Sequence, residues 1–211
     1  MKKFGIKNKR YGNHSKYSRG MTYIELIVVL TIFISMTSVI VFNYGGFQSK
    51  VDIKNLASDI ALKIVEAQKS SLSGQLPPLA QQSQISASWK PSYGVYINPS
   101  ADNKSFIYFS DLNQNGYLDD LVCAGGGECL EKILITKDNT ISNLGVVYQG
   151  DPNSYALDDL TVTFYRPNSI AVIKSSTSII ANVSYVQITI TSPKQISSAV
   201  KIYSSGRIQV N

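Results

Sequence analysis

The chain has 211 residues, of which 44% are hydrophobic and 16% are charged, with 14 glycines and 7 prolines. This composition excludes a wholly disordered chain, a collagen-like chain and a continuous coiled coil, and it predicts one domain of ordinary size with an extension. The formal net charge is +6, two cysteines are too few for a disulfide-dense miniprotein, and one histidine leaves little material for imidazole catalysis.

The excess of positive charge lies at the N-terminus. The first twenty residues contain seven basic side chains and no acid, whereas the rest of the chain has 13 basic and 14 acidic residues. A basic block that precedes an apolar run is retained in the cytoplasm. The +6 charge therefore indicates membrane topology and does not by itself indicate a nucleic-acid-binding body. The basic residues are Lys2, Lys3, Lys7, Lys9, Arg10, Lys16 and Arg19.

An apolar segment follows this block. From Leu26 to Ser49 the sequence contains no Asp, Glu, Lys or Arg, and residues 26–42 are apolar apart from small hydroxyl side chains. A helix of this length reaches across most of a bilayer about 30 Å thick, and its flanks supply the rest. Glu25 stands at the start of the run, where a carboxylate is costly enough to indicate a function.

The residues around Glu25 carry a resemblance to a known family. The stretch RGMTYIEL, residues 19–26, resembles the processing site of type IV prepilins and type II secretion pseudopilins. The resemblance implies that a prepilin peptidase cuts between Gly20 and Met21, that Met21 is N-methylated, and that Glu25 acts in assembly. Met21 stands where Phe is more usual in the family, and Tyr23 stands where Leu is common.

This resemblance gives Glu25 a partner. Cleavage creates an α-amino cation at Met21, and in a helical filament the Glu25 carboxylate of one subunit can pair with the Met21 amine of its neighbour. A buried ion pair adds little stability, but an unpaired buried charge is strongly unfavourable, so the pair can set the axial register. The alternative is an uncleaved signal-anchor helix that carries an extracytoplasmic domain.

The next segment connects the apolar run to the remainder of the chain. The glycine pair in Asn43–Gly46 predicts a kink or a locally melted segment. Beyond it, apolar residues at three- and four-residue steps predict an amphipathic helix that packs on a sheet and extends to about Ser71. These apolar residues are Ile53, Leu56, Ala57, Ile60, Ile64 and Ala67.

The C-terminal two thirds of the chain read as strands separated by turns, without βαβ alternation, which favours an antiparallel sheet. The fold class is therefore α+β, a long N-terminal helix on a β-rich head, and the resemblance implies the same pilin-like architecture. The predicted strands are Tyr93–Ile97, Ser105–Ser110, Lys132–Thr136, Gly145–Tyr148, Leu160–Tyr165, Ser169–Lys174, Tyr185–Thr191, Ala199–Tyr203 and Arg207–Val210.

One loop of the head has the spacing of a cation site. Its oxygen-bearing residues alternate and a glycine stands at the sixth position, as in the first half of an EF-hand calcium loop. Val122 occupies the position of the bidentate glutamate, which excludes an ordinary EF-hand. A hairpin turn centred on Asn115-Gly116 is the alternative. The candidate calcium ligands are Asp111, Asn113, Asn115, Tyr117 through its carbonyl, and Asp119 or Asp120.

Two further features concern the head. Cys123 and Cys129 flank a short glycine-rich segment, and an extracytoplasmic head permits oxidation, so we expect a disulfide, with two free thiols as an alternative. From Leu160 to the C-terminus there are five basic residues and no acid. Such a basic face could contact phosphates, with Arg207 as the candidate, but charges spread this thinly are usually solvated, so nucleic acid is not the expected partner.

The function that these features favour is structural, because the stretch after Gly20 contains no histidine and the sequence has no nucleophile–base motif or phosphate loop. The expectation is a minor subunit most like the H-type pseudopilins, with a cleaved leader at 1–20, a transmembrane or filament-core helix at 21–49, and an extracytoplasmic head at 50–211. Its partners would be the prepilin peptidase, the inner membrane and other pilin subunits, with no required cofactor. A minor pilin whose head binds DNA or a surface is the alternative. Secretion, pilus and competence machines all remain open.

Overall fold

A computed structural model describes residues 20–123, 126–176 and 181–211. The expected leader, apart from Gly20, lies outside the described residues. Two helices are present in the described part, α1 at Tyr23–Ser73 and the short α2 at Leu79–Gln82. The chain divides into two compact units, Met1–Tyr44 and Gly45–Asn211.

The described part of the first unit is the N-terminal portion of α1. Its apolar side chains from Leu26 to Phe42 are exposed. By length and composition, α1 is the one helix among the described residues that could cross a membrane. Three hydroxyls within it are satisfied locally: Thr31 donates to the Val28 carbonyl, Ser35 to the Ile32 carbonyl and Thr37 to the Phe33 carbonyl, at 2.8, 2.8 and 2.7 Å. These bonds make the helix compatible with an apolar environment.

The second unit is rich in β-structure. Its described residues form ten strands, which are β1 Ser92–Ile97, β2 Ser105–Ser110, β3 Cys129–Leu134, β4 Thr140–Tyr148, β5 Ser154–Leu157, β6 Leu160–Tyr165, β7 Asn168–Lys174, β8 Val183–Thr191, β9 Ser197–Tyr203 and β10 Ile208–Val210. They form two five-stranded sheets, ordered β3-β2-β1-β6-β7 and β10-β9-β8-β4-β5, in which all pairings are antiparallel. The α+β fold class is thereby confirmed.

One apolar core joins the helix to both sheets. The C-terminal part of α1 contributes one face of side chains at three- and four-residue steps, including Ile53, Ile60 and Ile64, which are almost completely buried. These pack in one cluster with β1 and β6 of the first sheet and with β4, β8 and β9 of the second. The amphipathic periodicity therefore predicted the buried face correctly, as expected for a helix that packs by one stripe.

Two sequence predictions need correction. Of the two alternatives predicted for Asn43–Gly46, local melting is wrong, because these residues are helical and α1 runs continuously through them, whereas the kink stays a prediction. Each glycine costs a helix only about 1 kcal/mol, which the hydrogen bonds of adjacent turns can offset. The short strand β5 was not predicted. Only Leu157 of its four residues is buried, so the strand has little local pattern and depends on pairing with β4.

Candidate functional site

The N-terminal segment forms a capped helix start. Gly20 and Met21 precede α1 and are exposed, as is Glu25. The Thr22 hydroxyl accepts a hydrogen bond from the Glu25 main-chain N–H at 3.4 Å, and the Thr22 carbonyl accepts one from the Leu26 N–H at 3.1 Å. Threonine followed three residues later by glutamate is the capping-box spacing. Sequence reasoning missed this role of Thr22, although the Thr-x-x-Glu spacing was there to find.

A second candidate site is the loop that connects β2 to β3. We call residues 111–119 the cation loop. Its main-chain N–H groups donate to side chains of the same loop. The Gly116 N–H donates to Asp111 Oδ2 at 2.9 Å. The Asn115 N–H donates to Asn113 Oδ1 at 2.9 Å, and the Tyr117 N–H donates to Asn115 Oδ1 at 2.7 Å. The oxygens of positions one, three and five are thus fixed by the N–H groups of positions six, five and seven.

The backbone of this loop does not match the alternative hairpin turn. A two-residue type I′ turn at Asn115-Gly116 requires positive φ at both residues. In the structure positive φ occurs at Gln114, with 62°, and at Gly116, with 74°. Gly116 therefore serves as the bend of a longer loop, because a residue with a Cβ atom is strained at this φ.

Asp119 meets the two asparagines of the loop. Asn115 Nδ2 donates to Asp119 Oδ2 at 2.9 Å, and Asn113 Nδ2 donates to the same carboxylate oxygen. Asp120 has a separate role, since its Oδ1 accepts the Val122 N–H at 2.8 Å. Of the alternatives Asp119 and Asp120, the structure brings Asp119 to the other candidate ligands.

Glu128 belongs to the same site and was missed by sequence reasoning. It is 5% exposed, and its two carboxylate oxygens accept the N–H groups of Leu112 and Asp119, each at 3.0 Å. Glu128 thus ties together the two ends of the cation loop. Burial raises the pKa of Glu128, and the negative charges of Asp111 and Asp119 raise it further. The residue lies nine positions after Asp119, and no spacing rule in the sequence connects the two.

Asp111 is the most deeply buried acid of the loop, with 2% of its surface exposed. Its Oδ2 accepts the Gly116 N–H and, at 3.3 Å, the Ser92 hydroxyl, whereas its Oδ1 is buried without a hydrogen-bond partner. Burial raises the pKa of Asp111, and the nearby N–H groups lower it again in part. No cluster of three or more His, Cys, Asp or Glu side chains among the described residues is arranged as a metal centre. A cation here would need amide and carbonyl oxygens besides carboxylates.

The expected disulfide is present. Cys123 and Cys129 are bonded, with their Cα atoms 4.7 Å apart. Cys129 begins β3 and follows Glu128 directly, so the disulfide restrains the segment that carries the Glu128 carboxylate beside the cation loop.

The basic residues near the C-terminus are largely engaged with tyrosines. The Arg207 guanidinium lies 3.8 Å from the Tyr203 ring centroid, and Lys201 Nζ lies 4.7 Å from the Tyr185 ring centroid. Lys174 Nζ likewise lies over a tyrosine ring and donates to the Asn115 carbonyl. These contacts occupy ring faces on which a base would stack. They favour a structural role for this part of the basic surface.

Comparison with known proteins gives no match. No family profile, curated protein or solved structure matches this chain.

Proposed function

We propose that the chain is a minor pilin or pseudopilin subunit that is cut after Gly20, held in the inner membrane by the first part of α1, and then assembled into a filament through that helix. The observation that carries the proposal is the exposed apolar surface from Leu26 to Phe42, with Glu25 as the one charged side chain between Gly20 and Ser49. An apolar surface of this length requires lipid or other helices around it.

The position of Glu25 supports an assembly role. It lies in the first turn of α1, close to the amine that cleavage after Gly20 would create at Met21. The N-terminus of a helix favours a negative charge, which lowers the cost of placing this carboxylate at the edge of an apolar layer. When the helix enters a bundle of identical helices, an unpaired Glu25 charge would be excluded from the apolar interior, and pairing with a neighbouring Met21 amine would select one axial register.

The way in which the head is joined to α1 supports the proposal. The second half of α1 forms part of the head core, with Ile53, Ile60 and Ile64 buried. A subunit of this kind carries its folded domain on the same helix that would enter the filament. The strand-rich head with a single long helix also agrees with the architecture that the RGMTYIEL resemblance implies.

The test begins with the mature N-terminus. Mass spectrometry of the protein isolated from its host should show a chain that begins at Met21 with a methylated amine. An intact Met1 would exclude the proposal and favour the uncleaved membrane anchor.

The assembly role of Glu25 is tested by comparing two variants in the presence of the other subunits. Glu25→Gln should insert in the membrane and be lost from the sheared or pelleted filament fraction. Thr22→Ala should remove the hydroxyl cap, at about 1 kcal/mol of helix stability, while it leaves the charge intact, and should still be incorporated. Because glutamine also fits the capping box, incorporation of Glu25→Gln at the wild-type level would contradict the assembly role of the charge.

A further inference from the structure

The cation loop holds a buried carboxylate oxygen without a donor. Asp111 Oδ1 has no hydrogen-bond partner, although the side chain is 2% exposed and its other oxygen is fixed by the Gly116 N–H and the Ser92 hydroxyl. A buried acceptor that lacks a partner is unfavourable, and each such group in a native protein calls for an explanation. The main-chain N–H groups of Gln114, Asn115 and Gly116 lie around this carboxylate, so it faces the main chain of the loop.

The carboxylates of this loop and of Glu128 have no cationic side chain paired with them. Glu128 lies near both Asp111 and Asp119, and their negative charges raise its pKa. Over residues 20–123, 126–176 and 181–211, no lysine or arginine nitrogen lies within 4.0 Å of a carboxylate oxygen of these three residues. Lys174 lies against the same loop, where its amine donates to the Asn115 carbonyl and lies over the Tyr117 ring, but it forms no ion pair with these carboxylates.

The remaining groups of the loop are hard oxygen donors. The amide oxygens of Asn113 and Asn115 each accept one main-chain N–H, and a carbonyl oxygen has a second lone pair that can bind an ion. Their amide nitrogens both donate to Asp119, which shows that the two asparagines and this carboxylate converge on one point. Neutral amide oxygens together with carboxylates are a donor set that Ca²⁺ accepts, with flexible geometry and six to eight ligands.

We propose that the cation loop binds one divalent cation of calcium type, with Asp111 Oδ1 and the Asp119 carboxylate as its charged ligands and the oxygens of Asn113, Asn115 and Tyr117 as neutral ligands. Glu128 is a positioning residue in this site, because its two oxygens accept the N–H groups of Leu112 and Asp119 and so hold the two ends of the loop together. The proposal does not depend on filament assembly.

The test uses the purified full chain in detergent micelles after treatment with a chelator. Calcium chloride is titrated in by calorimetry, and thermal unfolding is followed through Trp89, the one tryptophan of the chain. The Trp89 indole N–H donates to the Asp111 carbonyl at 2.9 Å, so its emission is sensitive to this loop. With two charged ligands we expect a dissociation constant of roughly 0.1–1 mM, and about 10 mM calcium should raise the unfolding midpoint by roughly 3–10 °C.

Matched asparagine variants locate the site. Asp111→Asn keeps the shape of the side chain and should weaken calcium binding at least about tenfold, because it removes one of the two ligand charges. Asp120→Asn is the control, since this neighbouring carboxylate accepts the Val122 N–H and should leave the calcium response unchanged. If Asp111→Asn does not fold, Asp119→Asn takes its place with the same expected loss.

Two results would overturn the proposal. The first is the absence of both heat and midpoint shift in the wild-type chain at about 10 mM calcium, beyond the effect of sodium chloride at matched ionic strength. The second is a calcium response that survives in Asp111→Asn and Asp119→Asn, which would place the ion elsewhere.

Discussion

Replacement of Ser71 by alanine tests how α1 is attached to the first sheet. Ser71 is 0% exposed and lies two residues before the end of α1. Its hydroxyl oxygen lies 2.7 Å from the Phe164 carbonyl oxygen and 2.9 Å from the Ala67 carbonyl oxygen, which share its single proton, and it accepts the Tyr93 N–H at 3.0 Å. Tyr93 and Phe164 are register partners on β1 and β6, so the hydroxyl connects the helix to both strands at one position.

The magnitude follows from the groups that Ser71→Ala leaves without a partner. A buried main-chain donor and a buried acceptor that lose their hydrogen bond each cost about 1–3 kcal/mol. Alanine recovers about 0.5 kcal/mol through its higher helix propensity. We therefore expect Ser71→Ala to reduce the free energy of unfolding by about 1.5–5.5 kcal/mol, which lowers the unfolding midpoint of a protein of this size by about 3–22 °C.

The assay is thermal unfolding of the full chain in detergent, followed by Trp89 fluorescence. Trp89 is a suitable reporter because its ring lies 6.5 Å from the Tyr93 ring. The control is Ser58→Ala on the same helix, where an exposed hydroxyl donates only to the Lys54 carbonyl of its own turn. That change should alter the free energy of unfolding by no more than about 0.5 kcal/mol. Equal midpoints for the two variants would refute the reasoning, since they would mean that the strands satisfy each other without the serine.

Three other substitutions have defined outcomes in unfolding measurements. Gly206→Ala should destabilise the head by more than about 2 kcal/mol, because its φ is +85° and a Cβ atom would overlap a carbonyl oxygen of β7. The control is Gly150→Ala, which has a φ of +83° but open space around it and should cost only about 1 kcal/mol. Equal losses in the two variants would contradict the steric argument. The pKa of Asp102 is lowered to about 2 by hydrogen bonds from Ser105 and Lys132 and from a main-chain N–H. The ionised carboxylate therefore adds to the free energy of unfolding above about pH 4, and this contribution is lost as the pH falls through 2. Asp102→Asn should therefore be less stable than the wild type at pH 7, by less than about 1 kcal/mol because the pair is exposed, and no less stable at pH 2, as measured by denaturant titration at both pH values.

Local sequence patterns predicted the strands whose own residues are mostly buried. The bounds of β2 and β6 agree with the predicted strands, because their side chains are nearly all buried and the residues favour extended backbone. The strand β5 failed this criterion, since three of its four residues are exposed and its conformation depends on β4. The melting alternative at Asn43–Gly46 failed for a related reason, as the low helix propensity of two glycines is weaker than the cooperativity of a long helix.

The candidate sites divide in the same way. The spacing of Asp111, Asn113 and Asn115 was visible in the sequence, because a loop that binds its own side chains through adjacent N–H groups is built from near neighbours. The membership of Glu128 was not visible, since it depends on β3 returning beside β2. Cleavage after Gly20 and the assembly role of Glu25 stay predictions that rest on the sequence motif.

The sequence by itself determined where the charge lies, where the apolar helix begins, the α+β class and the alternation of buried residues, because each of these is set by side chains within a few positions of one another. Only the tertiary structure decided the order of the strands, with β1 between β2 and β6 and β8 between β4 and β9. It also decided that the Ser71 hydroxyl completes a strand pair and that Asp111 retains an oxygen without a donor. These features depend on which distant segments meet when the core closes, and an antiparallel strand pattern is compatible with many such pairings.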